Sequence, residues 1–409
     1  MIGSSSAPLA GVTALEVGVF MAAPFATMQL ADLGARIIKI ESPNGGEQTR
    51  SAGPFVDGES SPFARLNRNK ESLALDLKSV QGKAVFEKLA ATADVVIENL
   101  RPGAMRRLGL GYDDLSPNNP GLIYASGSGW GQDGPLAHLP GLDIMAQARS
   151  GMMSITGFPG MPPAKVGLPI CDLTAALYLS LAITAALHER HSSGLGQFID
   201  VSLFESGVSY AIWEAGAYFA EGTVGGPLGS AHQNQAPYQA IRTKDGYLTV
   251  GATTPRNWDA FCRTLQLEEL LDQPCYAGTY DRLQNLGPLI ESIEERTIQL
   301  TTEEIIALLN VAGVPCAPIS DYGQVFTDEN LIARDFYWDA EHPKLGSVRQ
   351  LGSPMRFSRT PTVRNNAGPL LGSGNRAILA ELGYSSEEID ELSPPRSPEL
   401  AAEETVGAR

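Results

Sequence analysis

Short β-branched runs alternate with helix-like segments through the first half of the chain, and that alternation leaves few folds open. Residues 12–18, 37–41, 95–99 and 122–126 read as strands. Between them, 24–33 reads as a helix with Pro24 at its start and Gly34 as its stop, and 82–93 as an amphipathic helix. The strand-like runs lack strict polar–apolar alternation, as expected when both faces of a sheet are covered. Strand and helix in turn predict a parallel sheet with right-handed crossovers, so the fold class is α/β. Further on, 173–188 reads as a helix, 197–202 as a strand and 205–220 as another helix.

A chain of 409 residues with 43% hydrophobic content predicts two domains. The texture changes after the glycine-rich loop 221–230, where a strand at 247–250 is followed by amphipathic helices at 258–265, 288–299 and 303–312. The expected division is a large domain over 1–220, a small α+β domain over 225–325, and a return segment over 326–392 that completes the large domain. The Pro-, Glu- and Ala-rich tail, 393–409, is expected to be disordered. No internal repeat is visible.

The net charge of −16 argues against a general nucleic-acid binder and against docking on an anionic membrane. Cys171, Cys262, Cys275 and Cys316 are scattered without CxxC spacing, which fits reduced thiols better than disulfides or a metal site. The start lacks the basic-then-apolar pattern of a signal peptide. The longest apolar stretch, 173–187, reads as too short to span a bilayer. A cytoplasmic protein is expected.

Asp172 stands among small and apolar residues, after Gly167 and Pro169 and before a long apolar helix. A carboxylate there is costly to desolvate. Two compatible readings are open: an N-cap accepting from the first helical N–H groups, or a carboxylate nucleophile held ionised by the helix terminus. The glycines at 127, 129 and 131 give GxGxG, not GxGxxG, and open no helix, which disfavours a nicotinamide cofactor. Basic residues cluster at 65–70 and 99–107, the second after a strand end, where ligands of parallel sheets bind. They read either as a solvated surface or as a grip on phosphates. The five histidines show no catalytic spacing.

Several segments together resemble the CaiB/BaiF family, the class III coenzyme A transferases and their relatives the α-methylacyl-CoA racemases. They are Leu30-Ala31-Asp32-Leu33-Gly34-Ala35, Asn67-Arg68-Asn69-Lys70, Asp94-Val95-Val96-Ile97-Glu98-Asn99 with Arg101-Pro102-Gly103, Pro140-Gly141-Leu142-Asp143, Gly194-Leu195-Gly196-Gln197 and Gly313-Val314-Pro315. The resemblance runs from about residue 10 to 390. It implies a Rossmann-like large domain, a smaller domain and an interlocked ring homodimer. It implies that Asp172 attacks an acyl-CoA thioester, passing through a mixed anhydride and an aspartyl-CoA thioester. It places a mobile loop at Gly225, Gly226 and Gly229, and CoA contacts at Met21, Ala22, Asn69, Lys70, Asn99, Arg101, Arg107 and Asp143. No metal and no permanently bound cofactor are implied; the CoA thioester is a substrate, and its partner a carboxylic acid.

Two departures refine the expectation. Met21 stands where oxalate-using transferases carry Gln, which disfavours oxalate and points to succinyl-CoA with a C4–C5 dicarboxylate. Leu142 stands where racemases carry His; a racemase needs two acid/base groups, so transferase is favoured over racemase. An intramolecular CoA shift on a dicarboxyl-CoA and a non-catalytic CoA-binding protein are the remaining alternatives.

Overall fold

A computed structural model describes residues 7–392, so the tail expected at 393–409 lies outside the described residues. The chain divides into two compact units. One runs to Ser150, resumes over Val166–Ile212, and takes the chain again from Ile332 onward. The other is Gly151–Lys165 with Trp213–Leu331. The expected division is therefore corrected at 151–165, 213–220 and 326–331, which belong with the second unit. The first of these leaves at Gly151, whose φ of 84 favours a residue without Cβ, and is held in the second unit by Gly229 N–H donating to Gly157 O at 2.8 Å.

The first unit carries six parallel strands: β1 (Thr13–Val17), β2 (Arg36–Glu41), β3 (Lys70–Ala74), β4 (Val95–Glu98), β5 (Ile123–Ser128) and β6 (Phe198–Ser202). Their spatial order is β3-β2-β1-β4-β5-β6, all parallel. Side chains alternate between two cores. Leu15, Ile38, Leu73, Val96 and Tyr124 pack with Val85, Phe86 and Leu89 of α2 (Val80–Ala90). Ala14, Ile37, Val95, Ile97 and Ala125 pack on the other face with α1 (Ala22–Asp32) and α4 (Ile170–Ser193). Both faces being covered explains the continuous apolar strands. Strand β3 was not foreseen, because Lys70-Glu71-Ser72 reads as surface. The predicted helix at 205–220 is broken into α5 (Leu203–Val208) and Ile212–Glu221.

Helix α4 is longer than its apolar run. Its 24 residues include an 18-residue window of mean hydropathy 1.8, enough by length and composition to cross a membrane. The sequence expectation of "too short" is thus corrected. Ala176, Leu179, Ile183, Ala186 and Leu187 bury one face of it in the sheet core. The returning chain edges β3: Asn375 Oδ1 accepts from Ala74 N–H at 2.8 Å and Gly374 N–H donates to Ser72 O at 2.9 Å.

In the second unit, strands Tyr238–Arg242, Tyr247–Gly251 and Cys316–Pro318 form an antiparallel sheet with the middle one in sequence at its centre. Its core joins Leu248 and Val250 to Trp258, Phe261, Leu289, Ile293, Ile305 and Leu309. Arg282 is buried there, donating to the carbonyls of Ala236 and Tyr276 and lying 4.9 Å from the Trp258 ring centre.

Candidate active site

Asp172 is the third residue of α4, and Pro169 takes the N-cap position. The N-cap reading of Asp172 is therefore corrected. The cap comes from elsewhere in the chain. Asp143 opens α3 (Asp143–Arg149), and its Oδ1 accepts from Cys171 N–H at 2.9 Å and Asp172 N–H at 3.3 Å. These are the donors an N-cap side chain would satisfy. Gln147, one helical turn on and fully buried, aims the arrangement. Its amide donates to Asp143 Oδ2 at 2.7 Å and accepts from Val166 N–H at 2.9 Å.

Among the described residues, no donor is recorded for the Asp172 side-chain oxygens. Burial, with the Asp143 carboxylate beside it, pushes Asp172 up to about 7. The helix terminus favours the ionised form, yet it does not outweigh these two effects. Burial and Asp143 thus act against the helix terminus expected to hold the group ionised. The surroundings are packed tightly. A Cβ on Gly207 would come within 2.9 Å of Cys171 Sγ and 2.8 Å of Ser150 Oγ. The Thr174 and Tyr210 hydroxyls meet at 2.6 Å and tie the first turn of α4 to the chain after α5.

A second constellation lies at the carboxyl ends of β1, β2, β3 and β4, the expected ligand position of a parallel sheet. A cavity of about 390 Å³ is lined there by Gly18, Val19, Ile40, Leu75, Lys78 and Leu100, among others. Beneath it lies a buried ion cluster. Glu16 accepts from Lys39 at 2.5 Å and from Lys70 at 2.9 Å, all three without solvent exposure of their side chains. Burial opposes the Glu16 charge, but the two ammoniums overcome it and hold the carboxyl at about 2. Burial brings Lys70 down to about 8. Lys39 also donates to Gly18 O at 3.1 Å, and so fixes the β1–α1 turn from below. Gly18 has no room for a Cβ, which would sit 2.9 Å from that of Ala23.

Several of the expected coenzyme contacts have partners within the chain. Lys70 is committed to Glu16, Pro24 O and Asn67. Asn69, at φ 62, donates to Asp32 and Val363 O and accepts from Asn365 N–H. Asn99 clamps the backbone of Val19, accepting from its N–H at 2.9 Å and donating to its C=O at 2.8 Å. Asp143 is the cap described above. Met21 and Ala22 do open α1, which has no side-chain cap and no acid in its first turn. Arg101 and Arg107 are exposed, and no ion pair of either is recorded among the described residues. Their neighbours Leu100 and Leu108 line the cavity. Lys78, exposed in the lining, was missed; its signal was the undetected strand β3 just before it.

Gly225, Gly226 and Gly229 belong to the second unit. Gly229 is pinned at φ 65 by its bond to Gly157, and a Cβ there would strike the Phe158 ring at 2.8 Å. Gly226 has open space around it. Among the described residues, no group of three or more His, Cys, Asp or Glu side chains is placed to hold a metal ion.

Comparison with known proteins adds the chemistry. The family described as CoA-transferase family III matches residues 9–375. A succinyl-CoA:glutarate CoA-transferase of Mus musculus is 38% identical over 95% of this chain and 89% of its own. An acetyl-CoA:oxalate CoA-transferase of Acetobacter aceti is 35% identical, covering 91% and 95% respectively. Among solved structures, a CAIB/BAIF family protein from Brucella suis superimposes with a TM-score of 0.84 at 35% identity, over 92% of this chain and all of that one.

Proposed function

The chain belongs to CoA-transferase family III, and on that premise we propose that it moves CoA from succinyl-CoA to a C4–C5 dicarboxylate, glutarate foremost, with Asp172 as the nucleophile. The observation that carries the proposal is the Asp172 carboxylate itself: largely buried, with no donor to its oxygens recorded among the described residues, and set in the first turn of a helix whose Cys171 and Asp172 N–H groups Asp143 has already taken. The ionised carboxylate attacks the thioester carbonyl and expels CoA thiolate, leaving a mixed anhydride. The thiolate then attacks the Asp172 carbonyl, releasing the donor acid and forming an aspartyl-CoA thioester. The acceptor carboxylate attacks that thioester and forms a second anhydride. The returning thiolate takes the acceptor's acyl group and restores Asp172. Each step exchanges one activated acyl bond for another, so the thioester energy is retained if water is kept out.

The cavity above β1–β4 suits the nucleotide end of CoA, with apolar walls for a base and Lys78, Arg101 and Arg107 for phosphates. The loop holding Gly225, Gly226 and Gly229 suits a cover that excludes water. An interlocked homodimer accords with the apolar side chains left exposed on α4 and the helix after α5, Leu181 and Phe219 among them. Light scattering of the purified protein tests the dimer. Incubation with succinyl-CoA, quenching with hydroxylamine and peptide mass spectrometry tests the nucleophile. A hydroxamate at Asp172, absent in Asp172→Ala, is expected; transfer to glutarate without any Asp172 adduct would refute it.

A further inference from the structure

A second cavity of about 390 Å³ in the first unit shares no lining residue with the one above β1–β4. It opens beside the ends of β4, β5 and β6. Three rings form one wall: Tyr112, Tyr124 and Phe198, with centroids 6.0–6.3 Å apart. Glu98 lies in the lining at 5% exposure, its two oxygens accepting from Ser126 Oγ at 2.6 Å and Leu100 N–H at 2.7 Å. Among the described residues, no basic group is recorded as pairing with it. Asp113 and Asp114 also line the cavity, and the single cation in the lining, Arg106, is exposed. The side-chain Nε2 of Gln132 is buried there with no acceptor.

Aromatic faces and unpaired carboxyl groups together favour a cation, and an orphaned amide donor calls for an acceptor on the same molecule. We propose that this cavity binds a small primary-ammonium compound that also carries a hydrogen-bond acceptor, the ammonium against Glu98 and the rings, the acceptor at Gln132. The proposed CoA-transfer chemistry has no use for such a group, so the cavity is a separate ligand site. Burial, with Asp200 on β6 adding repulsion, raises Glu98 to about 7, while Ser126 and the Leu100 N–H oppose that rise. Tyr112, Tyr124, Asp113, Asp114 and Arg106 are the other titratable groups lining the cavity. An ammonium ligand therefore takes up the role of the missing counter-charge and displaces the Glu98 proton.

The test uses three probes sharing one ring: tyramine, 4-ethylphenol and 3-(4-hydroxyphenyl)propanoate, each titrated into the full-length protein by calorimetry at pH 8 and pH 6. Tyramine is expected to bind about tenfold more tightly than either analogue at pH 8, and to lose most of that preference at pH 6. Glu98→Gln should abolish the preference while leaving 4-ethylphenol unchanged. Asp113→Lys, on an exposed residue without recorded side-chain bonds, should weaken tyramine alone and serves if the Glu98 variant fails to fold. Equal binding of the three probes, no binding at millimolar concentration, or a tyramine preference that survives these substitutions would overturn the proposal.

Discussion

Replacing the proposed nucleophile, Asp172, should stabilise the protein and abolish its proposed activity. Asp172 sits at about 7 against an ordinary 3.8, a gap whose ceiling is about 4 kcal/mol at ~1.4 kcal/mol per pH unit. The carboxyl is partly exposed, and solvent screening brings the expected penalty to about 1–2 kcal/mol. Below pH ~4 the group is protonated in both folded and unfolded chains and contributes nothing. Between there and about 7 the folded state holds a proton that the unfolded state has released, so stability falls as pH rises. Above about 7 both are ionised and the full penalty is present. Asp172→Asn, nearly isosteric and uncharged, escapes it. Thermal unfolding should show the variant melting a few degrees above wild type at pH 8, with the difference shrinking to about a third at pH 5. CoA transfer should be lost at every pH. A variant less stable than wild type at pH 8, or a gain equal at the two pH values, would refute this account of the site.

The remaining predictions address the supports. Asp143→Asn keeps an oxygen for the Cys171 and Asp172 N–H groups but removes the like charge, so the acidic limb of the kcat/KM–pH profile should move to lower pH. Gln147→Leu frees the 166–168 chain and Asp143 together; kcat should fall about tenfold or more with KM for succinyl-CoA little changed. Lys78→Ala should raise KM for succinyl-CoA by about threefold to tenfold, an effect that shrinks as salt is added. Glu16→Gln strands two buried ammoniums and should cost about 3–5 kcal/mol in denaturant unfolding.

The apolar architecture was legible because its pattern is unambiguous: β1, β2, β4, β5, α1 and α2 all declare themselves by hydrophobicity and by Pro24 and Gly34. The buried charges were not. Lys70 reads as part of a basic cluster, solvated or gripping phosphates, and Lys39 as one residue of a strand, yet both lie inside the sheet on Glu16; the Lys70 pairing spans 54 residues of sequence, which no local pattern reveals. That hidden pairing concealed β3, and with it the position of Lys78. The same blindness hid the internal partners of Asn69 and Asn99, whose polarity suggests a ligand: Asp32 and the Val363 carbonyl for the first, the Val19 backbone for the second. Asp172 itself was singled out because an acid in an apolar run is conspicuous.

The capping arrangement resolves a conflict in what this carboxylate must do. A nucleophilic carboxylate has to be ionised, which a helix terminus favours, but it also has to keep its lone pairs free, which capping prevents. Were Asp172 the N-cap, its oxygens would be occupied by N–H groups and its pKa driven down, leaving a stable but sluggish anion. With Asp143 taking those donors, Asp172 keeps only the field of the helix end. It pays for its freedom with a raised pKa, and so stands near half ionisation at neutral pH. The second carboxylate thus adds to the cost that burial sets and is also the reason the oxygens are available. Asp143→Ala, which removes the surrogate cap, should let Asp172 turn inward onto the N–H groups: its pKa should fall while kcat drops about tenfold or more. A pH profile shifted to the acid side with undiminished kcat would show that the N–H groups were never in competition for the nucleophile.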